Sequence, residues 1–343
     1  LTIRSSRRRF AARLNSSVHG DCVAMNDELS KLERFALARG ARTNRSSCCG
    51  FCFPHAARAT SKNPRSSARR SAIMEKYKMQ LFTRIFFLLM TISTIASTTA
   101  FAISEETVKS TFAGNKGAIV IIGCSTEKVF DFFPADSSEM LAPCSTFKIW
   151  NTLIGLECGL ISKPEEMFYI WDGEKRFIEG WNQNLTLKMA FQASCVPAFK
   201  NLAKKIGLEK MKIWIDKISF GNKDISAGID CFWLPQEDGN EIKITPLEQA
   251  KLVARLVNKQ LPFSEQSVEL LKEIMKEKET QHGILYGKTG SAADNSGNYI
   301  LGWFVGFVES HGETFAFACA VKGKMGKDAR AIIEEIFSKQ GLL

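Results

Sequence analysis

The chain has 343 residues, 45% hydrophobic and 24% charged, with a formal net charge of +10. That balance suits one large or two small globular domains and excludes collagen-like, fully disordered and disulfide-scaffold classes. The charge is uneven, because residues 1–73 hold 15 Lys and Arg against 4 Asp and Glu and leave the rest of the chain close to neutral.

Residues 1–73 are rich in Arg and Ser, with Arg7-Arg8-Arg9 and Arg69-Arg70, and carry one short amphipathic stretch near Leu29–Leu37. An Arg-rich arm is one way to bind nucleic acid or an anionic surface. The switch from Arg to Lys usage at Met74 favours another reading, upstream sequence that is non-native to the working protein and disordered. No nucleic-acid partner is therefore expected. Cys48, Cys49 and Cys52 lack a second spaced ligand pair with His, so no metal site is predicted there.

Residues 74–102 read as a signal peptide starting at Met74 or Met79. Lys76, Lys78 and Arg84 precede an apolar run from Ile85 to Ile95, and Ala100-Phe101-Ala102 ends it. Positive, apolar, then Ala-x-Ala is the layout of a secretory signal. Cleavage is expected after Ala102, with release into the periplasm and no stable membrane anchor. The alternative is an uncleaved N-terminal anchor. Residues 103–343 are then the working unit, with Cys124, Cys144, Cys158, Cys195, Cys231 and Cys319 in an oxidising compartment. Their apolar settings predict mainly buried thiols, with a disulfide at Cys144 left open.

Gly117–Cys124 reads as an apolar strand and Val129–Phe133 as its hairpin partner. Helical periodicity marks Ser145–Cys158, Leu185–Gln192, Ala198–Ile206, Leu208–Ile218, Pro246–Asn258 and Ser264–Lys278. Thr245-Pro246-Leu247-Glu248 supplies a Thr cap with Pro at the first helical position. Ile284–Gly287, Tyr299–Glu309 and Thr314–Val321 read as strands, the last two joined by a tight turn at Ser310–Glu313. Ala329, Ile332, Ile333, Ile336 and Phe337 form one face of a closing helix. The pattern predicts an α+β fold, with an antiparallel sheet built from both termini, flanked by helices, and a mostly helical region inserted at about 144–281.

The chemistry is narrowed by what is scarce. Residues 103–343 hold two histidines, His282 and His311, with no HExxH and no Gly-rich nucleotide loop. Metal hydrolysis and a Ser-His-Asp triad are poorly supplied, and no metal is expected. Ser/Lys chemistry remains. Ser145-Thr146-Phe147-Lys148 is an S-x-x-K that opens an apolar helix, whereas the copy at Ser125–Lys128 falls in a hairpin turn. A helix start puts Ser145 and Lys148 on one face, one turn apart. Between Phe147 and Ile149 the amine is desolvated, which lowers its pKa and frees a neutral base. Lys288-Thr289-Gly290-Ser291 enters a strand. There a Lys and a hydroxyl on an edge strand hold a substrate carboxylate, and Gly290 permits close backbone approach. The N–H groups of Ser145 and Ser291 are candidates for an oxyanion hole.

S-x-x-K, a serine element and K-T-G in this order form the penicillin-recognising serine-enzyme signature. The middle element is Ser194-Cys195-Val196 in place of S-D-N. With Phe220-Gly221-Asn222, Phe232-Trp233-Leu234 and the GWFVG strand, residues 105–342 resemble the class D β-lactamases, the oxacillinases. The resemblance implies Ser145 as nucleophile and Lys148 as a CO2-derived carbamate, the general base, with no other cofactor. It implies a carbamate pocket of Phe147, Val196, Trp233 and Leu234, with Trp233 donating to the carbamate. Ser194 would relay protons to the leaving nitrogen. Lys288, Thr289, Gly290, Ser291 and Arg330 would bind a small-molecule β-lactam. A monomer or a homodimer is expected. Other readings stay open, with Ser194 as a helix cap, Trp233 as packing and Arg330 as a surface charge. At the level of the whole chain the rivals are a penicillin sensor, a D-alanyl-D-alanine peptidase and a non-catalytic binding protein.

Overall fold

The computed structural model describes residues 74–84 and 103–343, and each stretch is described by itself. Residues 74–84 form an exposed helix in which Lys78 pairs with Glu75 at 3.6 Å. The expectations for residues 1–73 and for the apolar run and Ala-x-Ala end of 85–102 lie outside the described residues. Among the described residues, no helix is long and apolar enough to cross a membrane.

Residues 103–343 begin with α1 (Glu105–Phe112), β1 (Gly117–Gly123), β2 (Val129–Asp131) and the short α2 (Pro134–Ser137). A 3-10 turn, Cys144–Phe147, runs directly into α3 (Lys148–Glu157). The inserted part holds β3 (Met167–Tyr169), β4 (Leu185–Thr186), α4 (Leu187–Gln192), α5 (Val196–Ile206), α6 (Leu208–Ile218), α7 (Pro246–Val257) and α8 (Glu265–Met275). The chain returns through β5 (Lys276–Glu279), β6 (Gly283–Ala293), β7 (Tyr299–Ser310) and β8 (Glu313–Lys322), and ends in α9 (Gly326–Lys339).

The main sheet has the order β2-β1-β8-β7-β6-β5 and is antiparallel throughout. β1 from the start pairs with β8 from the end, Gly117 opposite Val321 and Gly123 opposite Phe315. Both faces are covered, which is why these strands read as unbroken apolar runs. Ile119, Ile121, Phe304 and Phe317 pack with Val108 and Phe112 of α1 and Ile333 and Phe337 of α9. Val120, Ile122, Trp303 and Val305, on the opposite face by the period of two, pack with the inserted helical part. The β7–β8 turn is two residues, His311 and Gly312, at φ 52° and 78°, the positive pair that a right-twisted hairpin favours. Thr245 caps α7 as the sequence predicts, and Glu248 accepts from the cap backbone N–H to close a capping box.

The architecture is the α+β arrangement read from the sequence, with corrections at three elements. Leu185–Thr186 is strand, and the helix starts at Leu187 with the Thr186 side chain as its cap. Lys276–Glu279, read as the end of a helix, is β5, because α8 stops at Met275 and the backbone pairs with β6. The strand read as Ile284–Gly287 extends to Ala293 and carries the whole Lys288–Ser291 segment. α1 was not anticipated, since only Val108 and Phe112 are buried in it.

Candidate active site

Ser145 and Lys148 meet through local geometry. The Cys144–Phe147 turn is 3-10, with three residues per turn, so positions i and i+3 eclipse. Lys148 Nζ donates to Ser145 Oγ at 2.7 Å. The segment is held from several sides. Trp303 Nε1 donates to the Ala142 carbonyl at 3.0 Å, and the Thr146 hydroxyl donates to the Pro143 carbonyl at 2.6 Å. Gln249 Nε2 in turn donates to Thr146 Oγ1 at 3.1 Å. Cys144 sits at φ 52°, a left-handed conformation that a non-glycine residue keeps only where its surroundings enforce it.

Lys148 is 0% exposed. Its amine lies 5.4 Å from the centroid of the Phe199 ring, and Phe199 is placed by its own carbonyl, which accepts from Asn151 Nδ2. Phe147 stacks on Trp233 with centroids 5.8 Å apart and meets Phe220 and Phe232 edge-on, all four rings fully buried. Burial holds the lysine well below its ordinary pKa, and the nearby charge of Lys288 pushes the same way. The Cys144 thiol is pushed up to about 12 by burial, so it stays protonated. In this apolar cradle the Trp233 Nε1 donor is buried without a hydrogen-bond partner. A buried orphan donor is costly unless something fills it.

The second wall is β6. Lys288 is 2% exposed, near the Phe191 ring at 5.6 Å, and its Nζ donates to the Thr289 carbonyl at 3.0 Å. Its pKa falls to about 8 through burial, opposed by Glu277 and assisted by Arg330. The expected edge position needs correction. β6 is second from the sheet edge, but β5 pairs only as far as Tyr286, so Lys288–Ser291 lies beyond it. A Cβ on Gly290 would stand 3.2 Å from both the Pro143 carbonyl oxygen and the Ser145 nitrogen, so glycine lets β6 close on the Ser145 turn. Gly326 N donates to Ser291 Oγ at 2.9 Å, docking the start of α9 on this strand.

Ser194 follows α4 at φ 54° and its side chain makes no hydrogen bond among the described residues. It does not cap α5, whose cap position is Cys195. Cys195, next in the chain, is close enough to Lys148 for each to influence the other's titration. Val196 opens α5 half-buried, and Leu234 packs against the main core. Phe220-Gly221-Asn222 is structural at the backbone level, with Gly221 at φ 47° over the Lys243 carbonyl, and its Phe220 ring joins the cradle. The six cysteines of residues 103–343 are free, so the disulfide left open at Cys144 is not formed.

Arg330 departs from the simplest expectation. Its Nε donates to Glu334 at 2.6 Å and its Nη1 contacts Glu277 closely, so the guanidinium is already engaged by two carboxylates. Phe191, Phe199 and Glu277 were missed from the sequence. The two phenylalanines read as helix core, and Glu277 lies in the segment misread as helix.

The fold is shared with known proteins. The domain described as Penicillin binding protein transpeptidase domain matches residues 126–340. The probable beta-lactamase YbxI of Bacillus subtilis is 35% identical over 241 residues, covering 70% of this chain and 87% of that protein. The crystal structure of a beta-lactamase class D from Bacillus subtilis is 34% identical with a TM-score of 0.64, covering 69% of this chain and 96% of that one. The C-terminal domain of the Bacillus licheniformis BlaR penicillin-receptor is 29% identical with a TM-score of 0.63, covering 70% and 96%.

Proposed function

We propose that this chain, which belongs to the class D β-lactamases, opens the lactam ring of β-lactam antibiotics through an acyl-enzyme on Ser145 and then hydrolyses it. The observation that carries the reading is the 2.7 Å contact between Ser145 Oγ and a fully buried lysine amine. Burial favours the neutral amine, and a neutral amine next to a hydroxyl is what nucleophile activation requires.

Ser145 Oγ attacks the lactam carbonyl and its proton leaves toward Lys148. The backbone N–H groups of Ser145 and Ser291 face the developing oxyanion. Ser194 passes a proton to the leaving ring nitrogen. Lys288 and Thr289 hold the substrate carboxylate. Deacylation reuses the Lys148 position to draw a proton from water.

The finer reading is a carbamylated Lys148. The residues fit that group, since the neutral amine is the form that adds CO2 and the orphan Trp233 Nε1 and Ser145 Oγ are donors for it. Phe147, Val196 and Leu234 wall the pocket against bulk water. A carbamate there would supply an anionic oxygen base that stays unprotonated at neutral pH. The positive, apolar, Ala-x-Ala layout before Ile103 supports action in the periplasm.

The test is turnover of a chromogenic cephalosporin and a penicillin, with and without bicarbonate, alongside intact mass. Sustained turnover that rises with bicarbonate is expected. A stable Ser145 adduct without turnover overturns the hydrolase reading and favours the receptor behaviour named for the Bacillus licheniformis domain. Neither adduct nor turnover leaves a binding protein.

A further inference from the structure

Arg330 lies one helical turn beyond Gly326, the residue that docks α9 on β6. A Cβ on Gly326 would come within 2.9 Å of Thr289 Cβ, so this end of the helix is pressed onto the strand assigned to the substrate carboxylate. A free guanidinium here would grip a carboxylate with two parallel N–H donors. It is not free. Nε on one edge of the fork is held by Glu334 at 2.6 Å, and Nη1 on the other edge by Glu277. Two of its three nitrogens already hold carboxylates.

The two carboxylates are not equivalent. Glu334 is i+4 to Arg330 on the same helix and also takes Lys278 at 3.1 Å, so it is fixed by two cations. Glu277 comes from β5, at a register shift between Lys276 and Lys278. Its side chain is 18% exposed, and Arg330 is its one ion-pair partner among the described residues. It lies within the field of Lys288, and burial works against its charge. It therefore places a negative charge among the cations that a substrate carboxylate needs.

Resting on the β-lactam reading above, we infer that Glu277 is a specificity-determining residue, an internal carboxylate that occupies Arg330 and that a substrate carboxylate must displace. In the resting protein the carboxylate subsite is Lys288 and Thr289, and Arg330 joins only when Glu277 yields. Glu277 weakens binding of carboxylated lactams relative to lactams without that charge.

The experiment compares a penicillin with its methyl ester, identical except for the carboxylate, in the full chain. The readout is the KM ratio of ester to acid, with kcat followed separately. Glu277→Gln keeps shape and removes charge, and Glu277→Ala is the second variant. Both are expected to lower KM for the acid about tenfold, to leave KM for the ester within twofold, and to hold kcat. In an Arg330→Gln background the same change at Glu277 is expected to have no effect on the ratio. A wild-type ratio in both Glu277 variants, or an equal shift for acid and ester, overturns the inference alone. A wild-type chain that forms no Ser145 adduct with any lactam overturns the functional reading, and the inference falls with it.

Discussion

Lys148 and Lys288 are both buried, at 0% and 2% exposure, yet the surroundings of their amines differ in kind. Around Lys148 stand the Phe199 ring, the Phe147–Trp233 stack and two protonated thiols, with no carboxylate among the influences on its charge. Around Lys288 stand Glu277 and Arg330, a carboxylate and a cation of opposing effect. Desolvation with no carboxylate to oppose it lowers the pKa of the first amine and favours its neutral form. Desolvation with a nearby carboxylate leaves the second poised, and charged below about pH 8, as the proposed role of holding a substrate carboxylate needs. Two identical side chains acquire two chemistries from their neighbours.

The sharpest way to break this comparison is Lys148→Met. It keeps bulk and removes the amine, and turnover is expected to fall by ~10²–10⁴. The same change relieves a buried polar group and is expected to raise the unfolding free energy by about 1–3 kcal/mol. Lost activity with unchanged or lower stability in a denaturant titration would sink the uncompensated-burial argument. Trp233→Phe comes next. It keeps the stack on Phe147 and deletes the orphan donor, so turnover without added bicarbonate is expected to drop about tenfold, with recovery on bicarbonate titration. No bicarbonate dependence in either protein would place the Trp233 donor outside the reaction.

On the Lys288 side, Gly326→Ala puts a Cβ 2.5 Å from the Gly290 carbonyl oxygen. It is expected to cost about 1–3 kcal/mol of stability by overpacking and to raise KM more than it lowers kcat. The smallest effect is a pH dependence. The folded pKa of Lys288 is depressed to about 8 from 10.5, so the unfolded chain binds more protons between those values. Stability relative to Lys288→Met is therefore expected to rise with pH through that window and to be flat below it. A difference that falls with pH, in paired urea titrations, would mean that Glu277 outweighs burial at this lysine.

The Ser145–Lys148 pair was legible because its geometry is local. S-x-x-K at a helix start places two side chains one turn apart whatever the rest of the fold does, and an apolar flank implies a desolvated amine. The sheet strands were legible because residues buried on both faces, such as Gly117–Gly123, leave an unbroken apolar run. The Lys288 and Arg330 side was legible only in part. Lys276–Glu279 is a run of charges with no strand signature, and only pairing with β6 makes it a strand. The engagement of Arg330 by Glu277 joins residues 53 positions apart on a strand and a helix, which no spacing rule reports. Phe199 reads as ordinary helix core, and its place beneath Lys148 depends on the packing of α3 against α5.

The pairing of β1 with β8 also sets a timetable. The Ser145 turn emerges soon after β1, but the strand that completes the sheet beside β1 is synthesised about two hundred residues later. At roughly 5–20 residues per second that is an interval of about 10–40 s. Through it, β1 holds apolar faces and an unpaired backbone edge, the combination most exposed to aggregation. Any chain stopped before residue 313 lacks β8 and α9 together, and with them both the neighbour of β1 and the helix that docks on Ser291. The Ser145 turn is thus encoded long before the strand and helix that complete its surroundings.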